Sequence, residues 1–539
     1  MPLLRIQHLQ ATFPGQPQPA LQDISLDIDR GEWVALVGES GSGKSVTALS
    51  VLGLIPQARY PSGAILLERP SGGAAAGADP QVQAPTGAPP TLDLLHAAPD
   101  TLRHIRGREV SMIFQEPMTS LNPVFTCGFQ IAETLRTHLG LTAREAKERA
   151  REALADVLLQ DVLYDRYPHQ LSGGQKQRVM IAMAICCRPA LLIADEPTTA
   201  LDVTVQQGII QLLKNLQQKR NMGVLFITHD LELVRSVADR VLVMYRGRLL
   251  EEGPVPGVLD APRHPYTKAL LACRPGHTPK GQRLPVVEDF WREEGTAPPP
   301  MPPKTVPEPP KAKTIPLLRA EDLKVWFPGK NALFAKPHPP VKAVDGVSLT
   351  VHEGEILGLV GGSGSGKTTL GRALMRLVDP TGGKVFFRGE DLTVLGQRAL
   401  RPYRRQAQIV FQDPYSALNP RMTIGRALGE VAGPGHVPGL LEQVRLPAAF
   451  AGRYPHECSG GQRQRAVIAR ALAVQPRFIL FDESVSALDV SVQAQILNLI
   501  GDLKRELGFT AVFISHDPEV VRYLCDRVIA MKAGRIETD

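Results

Sequence analysis

The peptide Ser-Gly-Gly-Gln occurs twice in this chain, at Ser172–Gln175 and Ser459–Gln462, 287 residues apart. ADEPTTALD and FDESVSALD carry Asp195 and Asp482 at the same spacing, and ITHD and ISHD carry His229 and His516 at it too. Three separate motifs in one register mean two copies of one domain. No other feature limits the fold as much. At 539 residues the chain is also too long for one ordinary core.

The copies are expected over residues 1–270 and 317–539. Upstream they differ: Lys44 to Gln115 is 71 residues, whereas Lys367 to Gln412 is 45. The surplus falls at about residues 69–91, an Ala/Pro/Gly-rich insertion poor in bulky apolar side chains and expected to be a disordered surface loop. Residues 271–316 contain WREEGTAPPPMPPKTVPEPPKAKTIP and read as a proline-rich linker. A flexible chain of that length spans roughly 35–40 Å r.m.s., and prolines lengthen it.

Each copy opens as strand, glycine-rich loop and helix. Trp33–Val37 and Ile356–Val360 are the expected strands. LLIADE, FILFDE, VLFITHD and AVFISHD are short apolar runs that suit buried strands of a mostly parallel sheet. Helical stretches lie between them, so the class is α/β.

No run reaches the roughly 18 apolar residues of a membrane helix. The N-terminal MPLLRIQHLQ lacks the layout of a signal peptide, so a soluble, cytosolic chain is expected, one able to dock on a membrane protein. The six cysteines show no CxxC or zinc spacing and read as reduced thiols. A net charge of +7 is spread over the chain, with no arginine-rich block that would mark a nucleic-acid surface.

Gly38–Ser45 and Gly361–Thr368 fit GxxxxGK[ST]. Glycines such as Gly38, Gly41, Gly43, Gly361, Gly364 and Gly366 let backbone N–H groups, with Ser40 and Ser363, curl around phosphate oxygens. The next helix N-terminus adds partial positive charge. Lys44 and Lys367 are placed to reach the β- and γ-phosphates, and Ser45 and Thr368 to bind Mg²⁺. Asp195 and Asp482, at strand ends, suit holding Mg²⁺ through water, and the adjacent Glu196 and Glu483 suit polarising the attacking water. The competing reading is a strand followed by a helix cap. His229 and His516 read either as capping or core residues or as functional ones. Gln115 and Gln412 read as polar turns before proline or as site residues.

Ser172, Gly173, Gly174 and Gln175, with Ser459, Gly460, Gly461 and Gln462, form a second kind of helix start. It suits either an anion site or a simple N-cap. Each copy therefore has two phosphate-suited elements for one nucleotide, and the residues alone leave that unresolved.

In order, these motifs resemble those of the ATP-binding-cassette ATPases. The resemblance covers both copies, about 450 residues. It implies two P-loop NTPase domains, each a mostly parallel sheet core with an antiparallel β subdomain and an α-helical subdomain. It implies ATP and Mg²⁺ as ligands, with the signature of one cassette capping the phosphate loop of the other. Site one then takes Lys44, Ser45, Gln115, Asp195, Glu196 and His229 with Ser459–Gln462. Site two takes Lys367, Thr368, Gln412, Asp482, Glu483 and His516 with Ser172–Gln175. Gln115, Ser45 and Asp195, like Gln412, Thr368 and Asp482, are implied Mg²⁺ ligands. Phe13 and Phe327 are implied adenine-stacking residues, or else core, and Asp202 and Asp489 are implied to couple the sites. Cys458 stands where the signature usually has leucine, and Ser484 where proline usually follows the Asp-Glu pair. Both glutamates are retained, so two hydrolytic sites are expected.

QEPMTSLNPVFT, QDPYSALNPRMT, RYPHQLSGG, RYPHECSGG and RHPYTKALLACRP (Arg263–Pro275) are most similar to the oligopeptide, dipeptide and nickel importers of that family. The resemblance implies two integral-membrane permease partners, an extracytoplasmic solute-binding protein acting indirectly, and a place on the cytoplasmic face of the inner (plasma) membrane. With only Cys273 after HPYT, no iron–sulfur cluster is expected. The alternative is a soluble tandem cassette acting on ribosome or DNA. Such proteins usually carry a charged helical linker or zinc modules, neither of which is in this sequence.

Overall fold

The computed structural model describes residues 2–69, 91–114, 120–198, 203–291, 315–328, 339–486 and 488–537. It divides into two compact units, Met1–Leu271 and Ala272–Asp539.

In the first unit a six-stranded sheet runs in the order Arg248–Pro254, Arg240–Tyr245, Trp33–Val37, Gly223–Ile227, Leu191–Asp195, Val110–Ile113. Only the Arg248–Pro254 strand is antiparallel to its neighbour. Every residue of Trp33–Val37, Leu191–Asp195 and Gly223–Ile227 is buried. Continuous apolar runs, rather than alternating ones, fit a sheet covered on both faces. A four-stranded antiparallel sheet, ordered Leu21–Ile28, Leu4–Thr12, Arg59–Glu68, Thr91–Asp93, packs into the same core, where Ile6, Leu26 and Ile65 meet Leu36 and Leu225. Helices Cys127–Leu139, Ala143–Asp156 and Gly173–Ile185 form the third part. Thr142 and Glu145 close a capping box on the second of these, satisfying N–H groups a helix start leaves unpaired.

The second unit repeats the plan. Its six-stranded sheet runs Ala407–Val410, Phe478–Asp482, Thr510–Ile514, Ile356–Val360, Arg527–Lys532, Arg535–Ile536. Its antiparallel sheet carries Pro316–Phe327 between Val341–His352 and Gly382–Phe387. The strands expected at Trp33–Val37 and Ile356–Val360 have those limits. Two α/β cassettes, each with an antiparallel sheet and a helical part, are what the sequence led us to expect.

Ala272–Trp291, twenty residues of the span expected to be linker, belong to the second unit. Leu284 is fully buried there and Val287 nearly so. Apolar side chains within the proline-rich stretch give it something to bury, which composition alone hides. Residues 292–314 of the linker and 70–90 of the insertion lie outside the described residues. At the near edge of the insertion, Arg69 is buried and its Nε donates to Glu109 Oε2 at 2.9 Å. All six cysteines are buried and free. Among the described residues no helix is long and apolar enough to cross a membrane.

Candidate active site

The phosphate loops lie between the central strand of each sheet and helices Lys44–Val51 and Lys367–Leu374. Gly38 and Gly361 have φ of 149° and 153°. A Cβ at either would meet a carbonyl oxygen, Met244 O at 2.1 Å or Met531 O at 2.2 Å. Only glycine lets the loop start under that strand. Gly41 and Gly364, with φ of 79° and 75°, have nothing within 4 Å of such a Cβ and so border open space. Lys44 Nζ donates to the carbonyls of Gly38 and Glu39, both at 2.8 Å. Lys367 Nζ does the same to Gly361 at 2.7 Å and Gly362 at 2.9 Å. Both lysines are buried, so each loop holds a fixed, desolvated cation against its own carbonyls, the charge a polyphosphate requires.

Asp195 and Asp482 end buried strands directly behind these loops. Thr368 Oγ1 donates to Asp482 Oδ1 at 2.8 Å, and Ser45 bonds Asp195. Burial pushes the Asp195 carboxyl up from its ordinary value; the Ser45 bond opposes this, the charge of Glu196 adds to it, and Lys44 opposes it. A hydroxyl and a carboxylate in contact beside a phosphate loop are the hard oxygen donors that Mg²⁺ takes together with substrate phosphates. Among the described residues no cluster of three or more His, Cys, Asp or Glu forms. Arg372 Nη2 lies 3.5 Å from Asp482 Oδ2, whereas the matching position in the first cassette is Leu49.

Glu196 and Glu483 both sit at φ 48°, in the left-handed region that is uncommon for a non-glycine residue. Their N–H groups donate to Ile227 O at 2.9 Å and Ile514 O at 3.1 Å, which hold the turn. His229 Nδ1 is 3.4 Å from Glu196 Oε1, and His516 Nδ1 is 4.0 Å from Glu483 Oε2. Gln412 Nε2 donates to Glu483 Oε2 at 2.8 Å. Neither histidine caps the next helix: Asp230 and Asp517 do so through their carboxylates. Each imidazole is instead beside the glutamate. Gln115 and Asp202 lie outside the described residues. Asp489 is the N-cap position of helix Val490–Leu507.

Both signatures start a helix through a closed capping box. Gln175 N–H donates to Ser172 Oγ at 3.3 Å, and Ser172 N–H to Gln175 Oε1 at 3.0 Å. Ser459 and Gln462 match this at 3.3 and 2.9 Å. The first intrahelical bond is made by Lys176 N–H to Ser172 O, so the Gly173 and Gly174 N–H groups lie ahead of the helix ladder. The second glycine of each signature has a packing role as well. A Cβ on Gly174 would meet Val205 Cγ1 at 2.7 Å, and one on Gly461 would meet Val492 Cγ1 at 2.3 Å. Cys458 is buried, as Leu171 is, so the exchange changes a core contact and leaves the capping box intact. Ser484 Oγ is buried without a hydrogen-bond partner among the described residues.

Phe327 closes its strand and is 44% exposed, which removes the core reading for it. Phe13 is half-buried just past strand Leu4–Thr12. Sequence reasoning missed Tyr266. It is fully buried, and its hydroxyl accepts a hydrogen bond from Glu39 N–H in the first phosphate loop at 3.3 Å. The HPYT stretch was the available signal, read only as a mark of the subfamily. Tyr266→Phe is expected to weaken nucleotide binding at the first loop by a few-fold, as a hydrogen bond is worth about 1 kcal/mol. Titration with a fluorescent ATP analogue in a Lys367→Ala background measures it, and an unchanged affinity refutes it.

Residues 21–199 and 344–486 match the ABC transporter family. The chain is 46% identical to the glutathione import ATP-binding protein GsiA of Salmonella typhimurium, over 99% of this chain and 85% of that protein. The Escherichia coli protein of the same name is also 46% identical, with the same coverage. Among solved structures, a dimeric post-hydrolysis state of the ATP-binding cassette MJ0796 bound to ADP and Pi aligns at 30% identity and a TM-score of 0.36. That alignment covers 41% of this chain and 97% of the other.

Proposed function

The chain belongs to the ABC transporter family, and we propose that it drives import of glutathione or a short peptide by hydrolysing ATP at two sites. It is an ATP-binding subunit, and the membrane path belongs to separate permease subunits. Support for hydrolysis at both sites comes from one feature. In each cassette a glutamate in left-handed backbone, with a histidine beside it, follows the aspartate that touches the phosphate-loop helix. Glutathione or a peptide is the natural cargo class, since relatives at 46% identity over nearly the whole chain are glutathione import proteins. A ribosome- or DNA-acting tandem cassette has no such support.

In this reading Lys44 and Lys367 neutralise the phosphates, and the glycine loops orient them by N–H groups. Ser45 with Asp195, and Thr368 with Asp482, hold Mg²⁺, which supplies charge to the phosphoryl oxygens when bound. Glu196 and Glu483 orient and deprotonate the attacking water, and His229 and His516 hold them in place. The signature helix starts at Ser172 and Ser459 offer N–H groups and a hydroxyl to a γ-phosphate. Phe13 and Phe327 stack on adenine. The chain works on the cytoplasmic face of the inner membrane.

Partner capture tests the reading. The tagged chain, drawn from gently solubilised native membranes, is expected to bring down two multi-span permeases detectable by mass spectrometry. Their complex, given a binding protein loaded with glutathione or a dipeptide, is expected to hydrolyse ATP faster than without cargo. Ribosomal proteins or nucleic acid in place of permeases would overturn it.

A further inference from the structure

The segment that follows the first cassette in the chain is seated on the second with a specific receptor. Leu284 N–H donates to Asn498 Oδ1 at 3.0 Å, and Asn498 Nδ2 donates back to Leu284 O at 2.9 Å. Tyr523 Oη donates to Gln282 O at 2.9 Å. Gln495 Nε2 donates to Glu288 Oε1 at 3.1 Å, and Arg465 of the signature helix donates to Gln495 Oε1 at 2.7 Å. A Cβ on Gly276 would meet the Glu519 carboxylate at 2.5 Å. A two-way amide clamp around a fully buried leucine is a paired backbone contact.

The first cassette has no such receptor in its sequence. At the repeat spacing of 287, Asn498 corresponds to Gln211, Tyr523 to Ser236 and Gln495 to Gly208. Gln211 turns to Asn215 of its own helix, at 2.9 Å. Two otherwise parallel copies thus diverge where the segment binds. The helices it touches are also particular. Val490–Leu507 starts after Asp489, and Pro518–Leu524 starts two residues after His516.

We propose that residues 275–291 are a clasp whose receptor, Asn498, Tyr523 and Gln495, exists on the second cassette alone. Its seating braces the helix behind His516, so that hydrolysis at Glu483 depends on it more than hydrolysis at Glu196, which it reaches only through Gln495, Arg465 and the signature helix. The brace rests on the ATPase reading above; the receptor does not. Asn498 and Tyr523 act as positioning residues, since neither lies among the phosphate-site groups.

The test uses the full chain with Asn498→Leu and Tyr523→Phe together, and separately Leu284→Asp, which puts a charge into the buried seat of the segment. Hydrogen exchange over 280–291 reads the clasp. Turnover in a Glu196→Gln background reads site two, and in a Glu483→Gln background site one. Both clasp variants are expected to lose protection over 280–291 with the sheet amides still protected. They are expected to lower site-two turnover about fivefold or more, the scale of coupling between linked sites, with a smaller effect at site one. Retained protection over 280–291 would overturn the receptor. Released protection with equal effects on the two sites, or none, would overturn the brace. If the full chain without substitutions hydrolyses no ATP, the ATPase reading is refuted, and loss of protection over 280–291 in the variants still upholds the receptor.

Discussion

Replacing Glu196 and Glu483 together with glutamine is expected to lower ATP turnover by about 10²–10⁴, the range for loss of a general base. Nucleotide binding should persist, because the lysines and glycine loops are untouched. Each single variant is expected to lose the contribution of its own site. The basis is the matched geometry: both glutamates sit at φ 48°, both are anchored through N–H to the neighbouring strand, and both have a histidine beside the carboxylate. Steady-state phosphate release, with ATP binding measured in parallel, checks it. Unchanged turnover in Glu196→Gln together with complete loss in Glu483→Gln would refute two working sites. Ser484 bears on this outcome. It replaces the proline position after Glu483, yet Glu483 keeps the same backbone as Glu196, so the exchange does not displace the glutamate.

Gly361→Ala is expected to abolish nucleotide binding at the second loop and to destabilise the second cassette by about 1–3 kcal/mol, the cost of a strained backbone. Two effects add. The residue holds φ 153°, and its Cβ would sit 2.2 Å from the Met531 carbonyl oxygen. That carbonyl belongs to a strand paired with the loop's own strand, so it cannot swing away as a side chain does. Relief must come from the loop, which carries Lys367 out of register with the phosphates. Gly364→Ala is a control of the opposite kind, because its Cβ meets nothing within 4 Å; it suffers only from its φ of 75°. Nucleotide titration in a Lys44→Ala background and a thermal melt measure both. Gly361→Ala with normal affinity would refute the steric account.

Much of the site is legible in the sequence because its chemistry is carried by contiguous peptides. Gly38–Ser45, Asp195–Glu196 and Ser172–Gln175 each build one functional element from neighbours in the chain, and the repeat places every such element twice. The five-residue strands at Trp33 and Ile356 are legible for a similar reason: a strand buried on both faces must be apolar throughout. His229 and His516 were ambiguous because an imidazole at a strand end has two uses. Only the helix caps at Asp230 and Asp517, and the nearby glutamates, decide between them.

The residues themselves determined the two cassettes, their α/β class and the phosphate loops, because local backbone needs and hydrophobic runs are written in consecutive positions. Tertiary structure alone decided the rest. Tyr266 reaches Glu39 across 227 residues, Leu284 pairs with Asn498 across 214, and Gln282 with Tyr523 across 241. The second signature glycine is required by valines in another helix, Val205 and Val492. Such contacts leave no local pattern. They arise only when the sheet has brought distant helices and loops together, and the side chains they demand look ordinary until that packing is formed.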